Sequence, residues 1–151
     1  MGNICRSPTA EVVMRSLLVD AGLSDRVVVD SAGTGGWHVG GPADERALET
    51  LSAHGYNGSD HRARQFDASW FDDYDLIVAM DADNLRALRR MAPPGATDKL
   101  VMLRSFDPAS TPDDLDVPDP YYGGSVGFDH VLALVEAACA GLLDYVRSQL
   151  R

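Results

Sequence analysis

The chain begins with Gly2-Asn3-Ile4-Cys5-Arg6-Ser7, directly ahead of a stretch with helical spacing. These residue types in this order suit an anion. Backbone N–H groups at a helix start point outward with the positive end of the helix dipole. Gly2 lets the backbone approach a ligand closely, and Asn3 tolerates a left-handed conformation. The Arg6 guanidinium is a planar fork that matches two phosphate oxygens. From the residues alone two readings stay open. One is a phosphate loop, and the other is a polar turn capped by Ser7 with Arg6 in solvent.

Elsewhere the chemistry-bearing residues are sparse. Trp37 and His38 follow Gly35-Gly36 in a glycine-rich loop, which places the indole at a rim. His54, His61 and His130 lack metal-ligand spacing and read as structural. Asp113, Asp114, Asp116 and Asp119 lack the glycine and glutamate pattern of a calcium loop and read as a solvated loop. Cys139, among Ala137, Ala138 and Ala140, reads as packed core.

The elements that must hold the loop follow from patterning. Pro8 suits the first turn of a helix in which Val12, Val13, Leu17 and Leu18 fall near helical spacing, and Gly22 stops it. Val27-Val28-Val29 reads as a strand running into Asp30-Ser31-Ala32-Gly33. A helix is expected over 43–54 and a strand over 75–80. A second helix follows over 81–91 with Leu85 and Leu88 inward, and a strand over 100–103. A long loop rich in Asp and Pro spans 105–127, and a last helix, interrupted near Gly141, spans 128–150. Strands alternating with helices predict an α/β fold with a parallel sheet covered on both faces.

Composition narrows the function. The chain has 151 residues, 45% hydrophobic and 24% charged, enough for one domain with a real core. Its net charge of −10 argues against nucleic acid or an anionic membrane as a partner, so any anion site must be local. Lys99 is the only lysine, which reads as the coding bias of a GC-rich, bacterial genome. Two cysteines exclude a disulfide framework and favour a reducing cytoplasm. No signal peptide or membrane span is visible.

G-N-I-C-R-S-P-T-A-E resembles the signature C-x-G-N-x-C-R-S-P-x-A-E of the low-molecular-weight protein tyrosine phosphatases. Further blocks match in order: Asp30 to Thr34, Trp37-His38, D-H-R-A-R-Q over 60–65, M-D-A-D-N-L-R over 80–86, Ser105 to Pro108, and Asp119-Pro120-Tyr121-Tyr122-Gly123. The resemblance covers nearly the whole chain. It implies a three-layer α/β sandwich with a small parallel sheet, the phosphotyrosine protein phosphatase I-like fold. It also implies hydrolysis of a phosphotyrosine protein or a small aryl phosphate through a cysteinyl-phosphate intermediate, without metal or other cofactor. Residues 2–7 would bind the phosphate, and Asn3, Ser7 and Ser31 would brace the loop. Asp119 would be the acid, and Trp37, Tyr121 and Tyr122 would wall the substrate cleft.

One departure stands out. The family's nucleophile is the first Cys of C-x5-R, and counting back from Arg6 places it immediately before Met1. The expectation is therefore a single domain over 1–151 that lacks its first strand and its nucleophile, inactive as it stands. Cys5 is no substitute: it adjoins Arg6, and Glu11 stands six residues beyond it. In the family that second cysteine can pair reversibly with the nucleophile. Two other readings are an inactive phosphate- or phosphotyrosine-binding module and an arsenate reductase. The reductase needs relay cysteines, and none lies between Cys5 and Cys139. The sequence leaves the oligomeric state open.

Overall fold

The structure, a computed structural model, describes residues 3–120 and 125–150. Its centre is β1, Ile77–Ala79, paired in parallel with β2, Leu100–Met102, in the register Ile77–Leu100, Val78–Val101 and Ala79–Met102. Parallel strands need a crossover, and α3, Ala82–Met91, supplies it. Asp81 starts α3 by accepting the Asn84 N–H at 2.7 Å, the usual role of an N-cap carboxylate. Leu88 is buried and Leu85 half-buried, while Arg86, Arg89 and Arg90 point away from the core.

Two apolar layers cover the sheet. On the α3 side, Phe71, Ile77, Ala79, Leu88, Ala96 and Met102 form one cluster. A larger cluster joins α1, Arg6–Asp20, to α4, Ser125–Gln149, through Val13, Leu18, Leu132, Val135 and Cys139. The short α2, Glu45–Ala53, is capped by Asp44 and leans on α4 through Leu51. Helices thus lie on both faces of a small parallel sheet, the α/β sandwich expected.

Three local expectations need correction. Val27-Val28-Val29 pairs with neither strand. The only ladder contact nearby among the described residues is the parallel bridge between Gly33 and Gln65. A cavity of about 540 Å³ has Val27, Val29, Ile77, Val78 and Ala79 on its walls, and Val28 is 80% exposed. A β-branched run reports a side-chain preference for a pleated, half-buried surface and does not guarantee a neighbouring strand. Ser7, expected as the cap of α1, lies inside its first turn; Cys5 occupies the cap position and makes no side-chain capping bond.

The third correction concerns α4, which is continuous through Gly141. Gly141 is there for close approach: a Cβ would stand 1.9 Å from the Phe106 carbonyl oxygen. In an isolated helix Gly→Ala would add about 1 kcal/mol of stability. Here overpacking against a backbone carbonyl should reverse the sign, with Gly141→Ala costing about 2 kcal/mol. A thermal melt should show Tm lowered by about 4–8 °C. An unchanged or raised Tm would show that Phe106 does not sit against α4 as described.

Candidate active site

The loop ahead of α1 is built around Asn3, whose φ of 63° makes it the sole non-glycine residue in the left-handed region among those described. Asparagine tolerates that region because its short amide bonds locally. Here Asn3 is 2% exposed, and its side-chain amide and carbonyl are engaged. Nδ2 donates to Ser7 Oγ at 2.8 Å and to Ser31 Oγ at 3.0 Å. Oδ1 accepts the Arg64 N–H at 2.9 Å, and the carbonyl lies 2.6 Å from His61 Nε2. Ser31 passes the chain on, donating to Glu11 Oε1 at 2.7 Å. The Ile4 carbonyl accepts the Asp44 N–H at 2.7 Å, tying the loop to α2.

The amides of Ile4, Cys5, Arg6 and Ser7 have no partner among the described residues. Pro8 removes the donor that would come next. Unpaired amides at a helix start, with the dipole behind them, form an anion cradle.

Arg6 is 4% exposed, so the solvent reading fails. Its Nη1 donates to Asp81 Oδ2 at 2.6 Å and to the Val117 carbonyl at 2.7 Å. Nε and Nη2 have no protein partner among the described residues, which leaves one edge of the fork for an anion. Burial alone would raise the Asp81 carboxyl; the Asn84 N–H and the Arg6 guanidinium outweigh it and hold it below its ordinary value. A depressed carboxyl stabilises the fold above about pH 4, and that contribution fades as pH falls through the lowered value.

Asp119 is exposed and lines the same cavity as residues 3–7, Trp37 and His38. Its carboxylate is close enough to raise the Cys5 thiol. Trp37, 73% exposed, folds its indole over Gly35, where a Cβ would fall within 1.9 Å of the ring. Gly2, Tyr121 and Tyr122 lie outside the described residues. Among those described, no group of three or more His, Cys, Asp or Glu side chains could hold a metal ion.

The model of the family described as low molecular weight phosphotyrosine protein phosphatase matches residues 1–151. The chain belongs to that family. A low molecular weight protein-tyrosine-phosphatase of Streptomyces coelicolor is 59% identical over 149 residues, 98% of this chain and 90% of that one. The low molecular weight protein-tyrosine phosphatase A of Mycobacterium bovis is 50% identical over 149 residues, 99% of this chain and 89% of that one. The solved structure of a protein tyrosine phosphatase from Entamoeba histolytica superposes with a TM-score of 0.93 at 36% identity, covering 100% of this chain and 95% of that one. The activity is accordingly that of a protein tyrosine phosphatase.

Several residues of the phosphatase site carried no assigned role in the sequence reading. Asp81 reads there as the start of a helix; its second carboxylate oxygen on Arg6 has no local signature. His61 reads as structural, and its bond to a backbone carbonyl 58 positions away leaves no trace in spacing. Glu11 and Arg64 line the same cavity and bond to Ser31 and Asn3, contacts that leave no trace in spacing.

Cys5 is 6% exposed, and burial pushes its thiol up to about 12, with the Asp44 and Asp119 carboxylates adding to the effect. Thiolate is the reactive form, so at pH 8 only about one part in ten thousand is available. Cys5 in the folded phosphatase should therefore resist iodoacetamide at pH 8, its alkylation rising with each pH unit toward 12. Peptide mass spectrometry reads the modified fraction. Rapid alkylation at pH 7 would mean an exposed thiolate and would reopen the question of its reactivity.

Proposed function

We propose that the phosphatase works through a cysteine thiolate other than Cys5 and Cys139, at the position that the family signature places immediately before Met1. In this reading, residues 3–7 cradle the three non-bridging oxygens and Arg6 closes the ring. Asp119 serves first as acid and then as base, while Trp37 flanks the aromatic ring of the substrate. Attack forms a sulfur–phosphorus bond as the bond from phosphorus to the aryl oxygen breaks, and the Asp119 carboxyl gives its proton to the departing phenolate. Asp119, now a carboxylate, takes a proton from the water that attacks phosphorus. The thiolate leaves, and inorganic phosphate is released.

The observation that carries this reading is that an open-amide loop, a buried arginine with a free edge, an exposed carboxylate and an exposed indole line one cavity. Cys5 is a poor alternative nucleophile, because it is buried and its thiol is held protonated. No metal is required: the positive charge facing the phosphate comes from Arg6 and four amides, in a chain whose net charge is −10. That overall charge also disfavours nucleic acid and acidic membranes as partners. No helix among the described residues is long and apolar enough to cross a membrane. The sparse cysteines favour a reducing cytoplasm, and the single lysine fits a GC-rich, bacterial genome.

Steady-state kinetics on aryl phosphates of differing leaving-group pKa tests the roles. Asp119→Ala should lower kcat by about 10²–10⁴ on phosphotyrosine while changing KM little, because an acid acts only as the leaving oxygen gains charge. The loss should shrink when the leaving group is already a weak base. Arg6→Ala should damage kcat and KM together, since the guanidinium touches phosphate in ground and transition states alike. An Asp119→Ala enzyme with unchanged turnover on phosphotyrosine would remove Asp119 from the mechanism.

A further inference from the structure

We infer that Arg104 is a positioning residue for Asp119, acting through the segment that carries it; the inference rests on the acid role given to Asp119 above. Arg104 lies in a tight 3-10 turn, Leu103–Phe106, directly after β2, and its side chain is 7% exposed. Its Nη1 donates to Asp114 Oδ1 at 2.8 Å and to the Asp116 carbonyl at 3.0 Å. Its own carbonyl accepts the Ser110 hydroxyl at 2.7 Å and the Asp107 N–H at 3.1 Å. One residue thus ties the start of the acidic loop to its end.

The far end is gripped again from the catalytic side. Asp116 Oδ1 accepts the Ala82 N–H at 2.9 Å, at the start of α3. Val117, fully buried, donates its N–H to the Met80 carbonyl at 2.7 Å and accepts Arg6 Nη1 on its carbonyl. Arg6 and Asp119 are therefore joined by a hydrogen bond and two residues of chain. Asp116 is held in front by α3 and behind by Arg104, and Asp119 follows it by three positions.

Energetics favours a geometric over a stabilising role. Arg104 Nε is buried and has no partner among the described residues. Its charged partner Asp114 is 68% exposed, so solvent screens their attraction. An apolar side chain of similar volume would avoid the desolvation cost of a buried guanidinium. What it would not supply is a donor reaching two points of the loop at once. General acid transfer needs hydrogen-bond reach, and a shift of about 1 Å can cost roughly 10²-fold in rate.

The test compares Arg104→Met with the full-length wild type on phenyl phosphate and on an aryl phosphate of low leaving-group pKa. The expected result is kcat on phenyl phosphate lowered roughly ten- to hundredfold. KM should stay within about twofold, and the loss should be much smaller on the better leaving group. In an Asp119→Ala background the same substitution should cost almost nothing more, because the acid it positions is gone. Hydrogen exchange at the Val117 amide should accelerate in Arg104→Met while the α4 core amides of Leu132 and Val135 stay protected. Asp114→Ala, at an exposed position, should give a smaller change of the same kind and serves if Arg104→Met does not fold. Equal losses on both substrates, additive losses in the double variant, or unchanged Val117 exchange would overturn the inference. A wild type that hydrolyses neither substrate contradicts the mechanism instead, and the Val117 exchange then decides on the clamp alone.

Discussion

The left-handed turn at Asn3 is the constraint on which the rest of the site depends. A residue with a Cβ holds that conformation at a cost, and Asn3 offsets it with bonds to Ser7, Ser31, Arg64 and His61. Beside this fixed turn, none of the next four amides is used inside the fold among the described residues. A loop that satisfied its own donors would be more stable and would bind no anion. The surrounding bracing, from Glu11 through Ser31 and from Asp44 through the Ile4 carbonyl, keeps those donors unpaired.

The second constraint is electrostatic. The chain carries a net charge of −10, and Asp44, Asp81 and Asp119 all stand near the loop. Arg6 is the counterweight. Its pairing with Asp81 keeps a buried guanidinium from being an uncompensated charge, and it spends only one nitrogen in doing so. The same nitrogen binds the Val117 carbonyl, so Arg6 also fixes the segment leading to Asp119. In the proposed mechanism, phosphate binding and acid delivery therefore share a strut, and Asp81 joins that strut to α3 and the sheet.

Much of this was legible in the sequence where a local rule applied. Asn3 before a helix start is a residue that tolerates a left-handed turn, and Asp81 and Asp44 stood where helices begin. Leu88 showed the buried face of α3, and Gly22, at positive φ, marked the end of α1. The rest needed distance information that one-dimensional patterns do not hold. Val27 to Val29 have the composition of a strand but no paired neighbour. Gly141 looks like a helix break because Gly is a poor helix former, yet its role is to admit the Phe106 carbonyl. Ser7 looks like a cap, but its hydroxyl is taken by Asn3. Asp114 and Asp116 look like a solvated acidic run, and their link to Arg104 appears only once the loop is folded.

The most direct measurement is calorimetric binding of inorganic phosphate to the wild type and to Asn3→Ala, with a thermal melt to confirm that the variant is folded. If the turn at Asn3 is what keeps the loop amides presented, the variant should remain folded and lose phosphate affinity by about tenfold or more, since charge-assisted bonds are worth roughly 1.5–3 kcal/mol each. Asn3→Gly, which restores backbone freedom but no side-chain bonds, should recover only part of that loss. A folded Asn3→Ala protein that binds phosphate as tightly as the wild type would contradict the account, because the cradle would then stand without the turn.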